Sequence, residues 1–179
     1  MPEEKVLLEA TVCFLVSHGI RQGYTLLLAR KQKKIGAGKW NGYGGGPKKG
    51  ESMVDAAIRE LYEETGRGVV VEKEDMEKVA VVDCHNRKSD GKTFTCRVHF
   101  YFVHEYSGTI KDTDEMKDPT WFPFKSMPWK DMMPADRDWL APVLEGKKIY
   151  AKAYLGPFQG EKIGETEVSI VEDFSAFKE

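Results

Sequence analysis

At 179 residues, with 41% hydrophobic and 31% charged residues, the chain has an ordinary globular composition and enough length for a substantial core. Its formal net charge of −2 lacks the basic excess of a general nucleic-acid-binding surface, and no apolar run approaches membrane-spanning length. The acidic start MPEEKVLLEA is unlike a signal peptide, and three cysteines (Cys13, Cys84, Cys96) show no framework spacing; these features predict a one-domain cytoplasmic protein with reduced thiols, free of nucleic acid and membrane, and a monomer.

Residues 5–16, KVLLEATVCFLV, form an apolar run rich in β-branched and aromatic residues and predict a buried strand. A turn from His18-Gly19 to Gln22-Gly23 leads to YTLLLARK, the second arm of a hairpin. The chain then changes character: residues 31–50, KQKKIGAGKWNGYGGGPKKG, are rich in glycine and lysine and poor in core-forming side chains. A loop of this length inside a compact domain is normally functional. Its backbone N–H groups and Lys31, Lys33, Lys34, Lys39, Lys48 and Lys49 suit a polyphosphate, although about half of these lysines are expected to be solvated surface residues.

The loop feeds a helix within the stretch Gly45 to Gly66, in which Val54, Ala57, Ile58 and Leu61 make an apolar stripe. Glu60, Glu63 and Glu64 fall within roughly a 100° arc away from it. Three such carboxylates repel one another, and a hard divalent cation with oxygen ligands would turn that repulsion into binding. Beyond the helix, GVVVEKE predicts a short strand, and residues 79–87 and 92–104 flank Ser89-Asp90-Gly91 as a hairpin. Within it, Cys96, Val98, Phe100 and Phe102 share one face, and Arg97, His99 and Tyr101 the other. Cys84, His85, Cys96 and His99 lack zinc-site spacing and are read, like His18 and His104, as ordinary residues. An acidic loop follows, then Trp121, Phe122, Phe124 and Trp129 as core aromatics, a helix from Pro134 to Leu144 stopped by Gly146, and strands over 149–158 and 165–172.

One pattern is denser than chance. Gly45, Glu51, Arg59-Glu60-Leu61, Glu63-Glu64 and Gly66 stand at the fixed positions of the Nudix box; Arg67 replaces the usual closing aliphatic residue. The segments GAGKWNGYGGGPKKGES, DEMKDPTWF, PWKDMMPADRDW and YLGPFQG further resemble the oxidised-purine nucleoside triphosphatases, the 8-oxo-dGTP diphosphatase, MutT-like branch of that family, over nearly the whole chain. The resemblance implies a Nudix fold, an α/β/α sandwich around a mixed sheet, and hydrolysis of a nucleoside triphosphate to monophosphate and pyrophosphate with Mg²⁺ or Mn²⁺. It implies metal ligation by Glu60, Glu63, Glu64, Glu115 and the Gly44 carbonyl, with Glu63 or Glu115 as base. Arg59 would orient the glutamates and Glu51 would brace Arg59. It places Thr11, Lys31, Asn41 and Asp136 around the base, with Tyr43, Gly44, Gly45, Gly46, Met133 and Pro134 against the substrate.

The pocket departs from that branch. Met133 replaces a stacking Trp, Ala135 the first of two Asp residues, Ile35 and Cys84 two Phe residues, and Cys96 a Met. A lone Asp136 is expected to share a proton less readily than a carboxylate pair. The alternatives are a Nudix hydrolase of another nucleoside diphosphate derivative and a non-catalytic nucleotide sensor, since fold does not fix function.

Overall fold

The computed structural model describes residues 3–19 and 23–177. Its strands are β1 (Glu9–Gly19), β2 (Gly23–Lys31), β3 (Trp40–Asn41), β4 (Tyr43–Gly45), β5 (Val69–Val70), β6 (Met76–Arg87), β7 (Thr93–Val103), β8 (Ser107–Gly108), β9 (Met116–Pro123), β10 (Lys148–Leu155) and β11 (Glu167–Val171). The α-helices are α1 (Met53–Glu64) and α2 (Asp136–Leu144). Nine strands form one mixed sheet in the order β11-β10-β6-β7-β1-β2-β3, with β4 on β1 and β9 on β2. The β1–β7 and β10–β6 pairs are parallel, and β5 and β8 form a separate antiparallel pair. Among the described residues, no helix is long and apolar enough to cross a membrane.

Both faces of the sheet are covered, which is why its central strands read as continuous apolar runs. In β2, Leu26 and Leu28 point to the side of α2 and Leu27 and Ala29 to the side of α1. The α2 side gathers Phe14, Phe100, Phe102 and Trp139; the α1 side gathers Cys13, Leu15, Leu61 and Tyr101. This is the α/β/α arrangement expected from the sequence.

Several boundaries differ from expectation. Strand β1 begins at Glu9, so Lys5–Leu8 run outside the ladder. The first hairpin forms, with Gly19 opposite Gly23, but residues 20–22 of the expected turn lie outside the described residues. The lysine-rich loop contains β3 and β4, and the expected acidic loop ends in β9, antiparallel to β2. Pro119 and Asp118 (φ +56°) break the register of β9 opposite Leu28 and Arg30, so no regular alternation marks that strand. Trp121 is 40% exposed instead of core, whereas Phe122, Phe124 and Trp129 are partly buried against the α2-side core. Helix α2 starts at Asp136, two residues after Pro134, and Gly146 (φ +93°) follows its end. Cys84 and Cys96 face each other in the β6–β7 register, while His85 stacks on Tyr154; the Cys and His side chains do not converge.

Candidate active site

Helix α1 is fixed at both ends. Ser52 caps it by accepting the Asp55 N–H, and its hydroxyl donates to the Asp55 carboxylate at 2.9 Å. At the other end the Thr65 hydroxyl donates to the Leu61 carbonyl at 2.6 Å, and the chain leaves through left-handed Gly66 and Arg67. Arg67 is exposed there, so the missing aliphatic residue leaves no hole in the core. The apolar stripe is rotated from its expected position: Met53, Ala56, Ala57 and Leu61 are buried, while Val54 and Ile58 are only partly so. The same rotation takes Glu64 off the bare face. It is 7% exposed, whereas the Glu63 side chain is 47% exposed.

Arg59 organises the carboxylates. Its guanidinium clamps Glu51 through two hydrogen bonds of 2.8 Å, reaches Glu60 at 2.9 Å and Glu63 at 3.3 Å, and donates to the Gly46 carbonyl at 3.1 Å. These bonds, first of all that to Glu51, push its pKa up, and the Arg59 hydrogen bonds hold Glu51 down at about 2. The roles expected for Arg59 and Glu51 therefore have a geometric basis.

Glu64 is held differently. Its Oε2 accepts the Gly44 N–H at 3.1 Å, which ties the last turn of α1 to β4. Burial pushes its pKa up to about 8; that hydrogen bond opposes the rise, and the charges of Glu60 and Glu115 add to it. Glu115 reaches this place through Thr113, whose hydroxyl donates to the Glu64 carbonyl and accepts the Glu115 and Met116 N–H groups.

The two glycines before the helix have distinct steric reasons. A Cβ on Gly44 would lie 1.8 Å from the Thr11 carbonyl oxygen across the β1–β4 ladder. A Cβ on Gly45 would lie 2.7 Å from the Glu60 carboxyl carbon. The fit to a hard divalent cation rests on these observations: oxygen donors only, a cradle open because Gly45 has no side chain, and a buried carboxylate destabilised by two others. Among the described residues, no three acidic, Cys or His side chains converge as a closed ligand set, because Glu60 and Glu63 are turned to Arg59.

On the α2 side of the sheet lies a cavity. Thr11, Lys31, Asn41 and Asp136, expected around a base, all line it. Ile35, Cys84, Cys96, Met133 and Ala135, the departures from the branch pattern, line it too. Asn41 Oδ1 accepts the Gly42 N–H at 2.8 Å, leaving its amide nitrogen to donate. Burial lowers the pKa of the Lys31 ammonium, against the nearby Glu64 and Glu115. Asp136 is 8% exposed, and Trp139 donates to it at 3.3 Å. Burial pushes its pKa up to about 7. Desolvation thus favours the protonated form of Asp136 without a second carboxylate beside it.

Not every expected residue reaches the cavity. Tyr43 is 1% exposed and packs in the α1-side core, Pro134 is not part of the lining, and the Gly46 carbonyl is taken by Arg59. Of the six loop lysines, Lys31 alone lines it. Phe94, Trp139 and Gln159 line it without having been anticipated; Phe94 and Trp139 could have been found from strand and helix periodicity, Gln159 from nothing local. Gly44 and Gly45 belong to both places, lining the cavity and touching Glu64 and Glu60.

A family model described as NUDIX domain matches residues 8–143. A curated relative from Mus musculus, named oxidized purine nucleoside triphosphate hydrolase, is 33% identical over 130 residues, covering 73% of this chain and 78% of its own. One of the same name from Danio rerio is 35% identical over 153 residues, covering 83% and 88%. Among solved structures, a MutT protein from Bacillus halodurans superposes with a TM-score of 0.71 at 23% identity, covering 91% of this chain and 98% of its own, a likeness of fold.

Proposed function

Since the chain belongs to the NUDIX family, we propose that it is a Mg²⁺-dependent nucleoside triphosphate pyrophosphohydrolase. Its proposed substrates are oxidised purine nucleotides such as 8-oxo-dGTP, cleaved to the monophosphate and pyrophosphate. The observation that carries this reading is the shared Gly44–Gly45 wall, which sets a largely apolar cavity with a few polar groups directly beside the Glu60–Glu64 carboxylates. The two curated relatives named above support the oxidised-purine class.

In this reading Glu60, Glu63, Glu64, Glu115 and the Gly44 carbonyl hold the ion. When bound, Mg²⁺ supplies positive charge against the phosphate chain and makes water a better nucleophile. Arg59 holds Glu60 and Glu63 beside one another through its hydrogen bonds, from which they would turn to the ion, and Glu51 fixes Arg59 in turn. Glu63 and Glu115 are the carboxylates available to take a proton from water. Lys31, on the cavity side of Glu64 and Glu115, lies where it can meet a phosphate. Asn41 offers an N–H to the base, and Asp136 in its protonated form offers an O–H. Cys13, Cys84 and Cys96 are all buried free thiols, which supports a reducing, cytoplasmic setting.

The test is a panel of 8-oxo-dGTP, 2-hydroxy-dATP, dGTP and dATP scored by kcat/KM, with and without Mg²⁺, beside a dinucleoside polyphosphate and a nucleotide sugar. The expected result is Mg²⁺-dependent pyrophosphate release with an oxidised purine first. A preference for dGTP or dATP would withdraw the oxidised-base name and leave the hydrolase. No release from any nucleotide would point to a sensor.

A further inference from the structure

The turn after β10 brings a polar group to the cavity from the flank opposite Asn41. Gln159 lines the cavity. It follows β10, next to β6 in the sheet order, whereas Asn41 and Lys31 come from β3 and β2 at the other side. Its amide is oriented by a chain of bonds whose polarity has one solution. The Cys84 carbonyl can only accept, so buried Asn86 must donate to it with Nδ2, at 2.9 Å. That leaves Asn86 Oδ1 as an acceptor, which takes Gln159 Nε2–H at 3.0 Å. Gln159 Oε1 is then left without a hydrogen-bond partner among the described residues.

The turn itself is held under tension. Phe158 and Gln159 have φ of +54° and +55°, a left-handed conformation that side-chain-bearing residues rarely adopt in succession. It is pinned by Glu4, whose buried carboxylate accepts the Phe158 N–H at 2.8 Å across the whole length of the chain. Backbone strain of this kind persists where surroundings over-determine it, characteristically around ligand clamps.

We propose that Gln159 determines specificity: its Oε1 accepts a hydrogen bond from an exocyclic amino group on the purine edge turned towards β10, with Asn86 and Glu4 as positioning residues. This rests on the nucleoside triphosphate reading above. A confined acceptor discriminates by what the wrong ligand leaves unpaired, so a purine lacking that amino group binds less well.

The experiment compares two matched pairs, dGTP with dITP for the 2-amino group and dATP with purine deoxyribonucleoside triphosphate for the 6-amino group. Wild type is expected to favour the amino-bearing member of one pair through KM. Gln159→Met, which keeps length and removes both polar atoms, should raise KM for that member by about threefold to tenfold and leave its partner and kcat unchanged. Gln159→Glu keeps an acceptor but sets a carboxylate oxygen against Asn86 Oδ1 in place of the Nε2–H donor, so it should weaken the preference as well; Gln159→Leu, which also has no polar atom, gives the same readout as Gln159→Met if the latter does not fold. Equal effects on both members, an effect on kcat alone, or no amino preference in wild type would overturn the proposal while leaving the hydrolase reading intact. Failure of wild type to release pyrophosphate from any of the four would instead defeat the reading on which it rests.

Discussion

Burial sets the chemistry of Asp136. Facing it are Trp139 of its own helix, which donates to it, and the Cys84 thiol of β6, which burial keeps protonated. Its pKa of about 7 in the folded chain stands above the ordinary 3.8. Between those values the native protein holds a proton that the unfolded chain has released. Stability from the neutral carboxyl is therefore full below about pH 4 and is lost as pH rises through about 7. Asp136→Asn cannot ionise, so the fall in Tm between those limits should be shallower in the variant than in wild type. Purine KM should rise above about pH 7 in wild type, as the donated proton disappears, and stay flat in the variant. Parallel pH courses in both proteins would remove Asp136 from both accounts. The residue was legible in the sequence as a cavity candidate, but its protonation was not, because that depends on how completely α2 shields it.

At the scale of elements, β4 and α1 are joined by contacts too close for any side chain. Gly44→Ala would force apart the β1–β4 ladder at the Thr11 carbonyl, while Gly45→Ala would meet only the end of the flexible Glu60 side chain. The expectation is thus a split. Gly44→Ala should lower Tm strongly, whereas Gly45→Ala should fold with a small change in Tm and lose turnover on every nucleotide alike, measured by kcat. A substrate-selective loss in Gly45→Ala would place this backbone in base recognition instead. The helix could be read from its spacing, because 3.6-residue periodicity and fixed glutamates survive translation into a line of letters. The rotation that buried Glu64 could not, since Met53 and Ala56 compete for the same core face as Val54 and Ile58. Strands β3 and β4 are too short to carry alternation, and β9 is broken by Asp118 and Pro119.

Across the whole molecule, the family match ends at residue 143, but the sheet does not. Strand β10 lies parallel to β6 and buries Ile149, Ala151, Ala153 and Leu155 in the α2-side core. Ala153 and Leu155 also line the cavity, and Gln159 follows. A chain ending at Lys147 would expose the outer edge of β6 and a face of α2, a loss of four buried side chains at about 1.5–3 kcal/mol for each large aliphatic one. Such a truncation should show no cooperative thermal transition by calorimetry, even with Mg²⁺ and nucleotide present. A truncated protein that melts near the wild-type temperature would make β10 and β11 an appendage. The layers were legible because alternating and continuous apolar runs identify sheets covered on one or both faces. The pairing of β10 with β6 was not, as parallel partners are set by distant packing rather than by a turn.

The wall formed by Gly44 and Gly45 has a consequence for how such a protein can diversify. At this wall a substitution alters the cavity lining together with the surroundings of Glu60 or Glu64. New preferences are therefore most accessible through the other walls. That is where this chain carries its own residues: Ile35 in the loop, Cys84 and Cys96 facing each other across β6 and β7, and Met133 and Ala135 ahead of α2. A library confined to those five positions would vary selectivity while holding the hydrolytic machinery constant, and one that included the two glycines would chiefly return inactive clones.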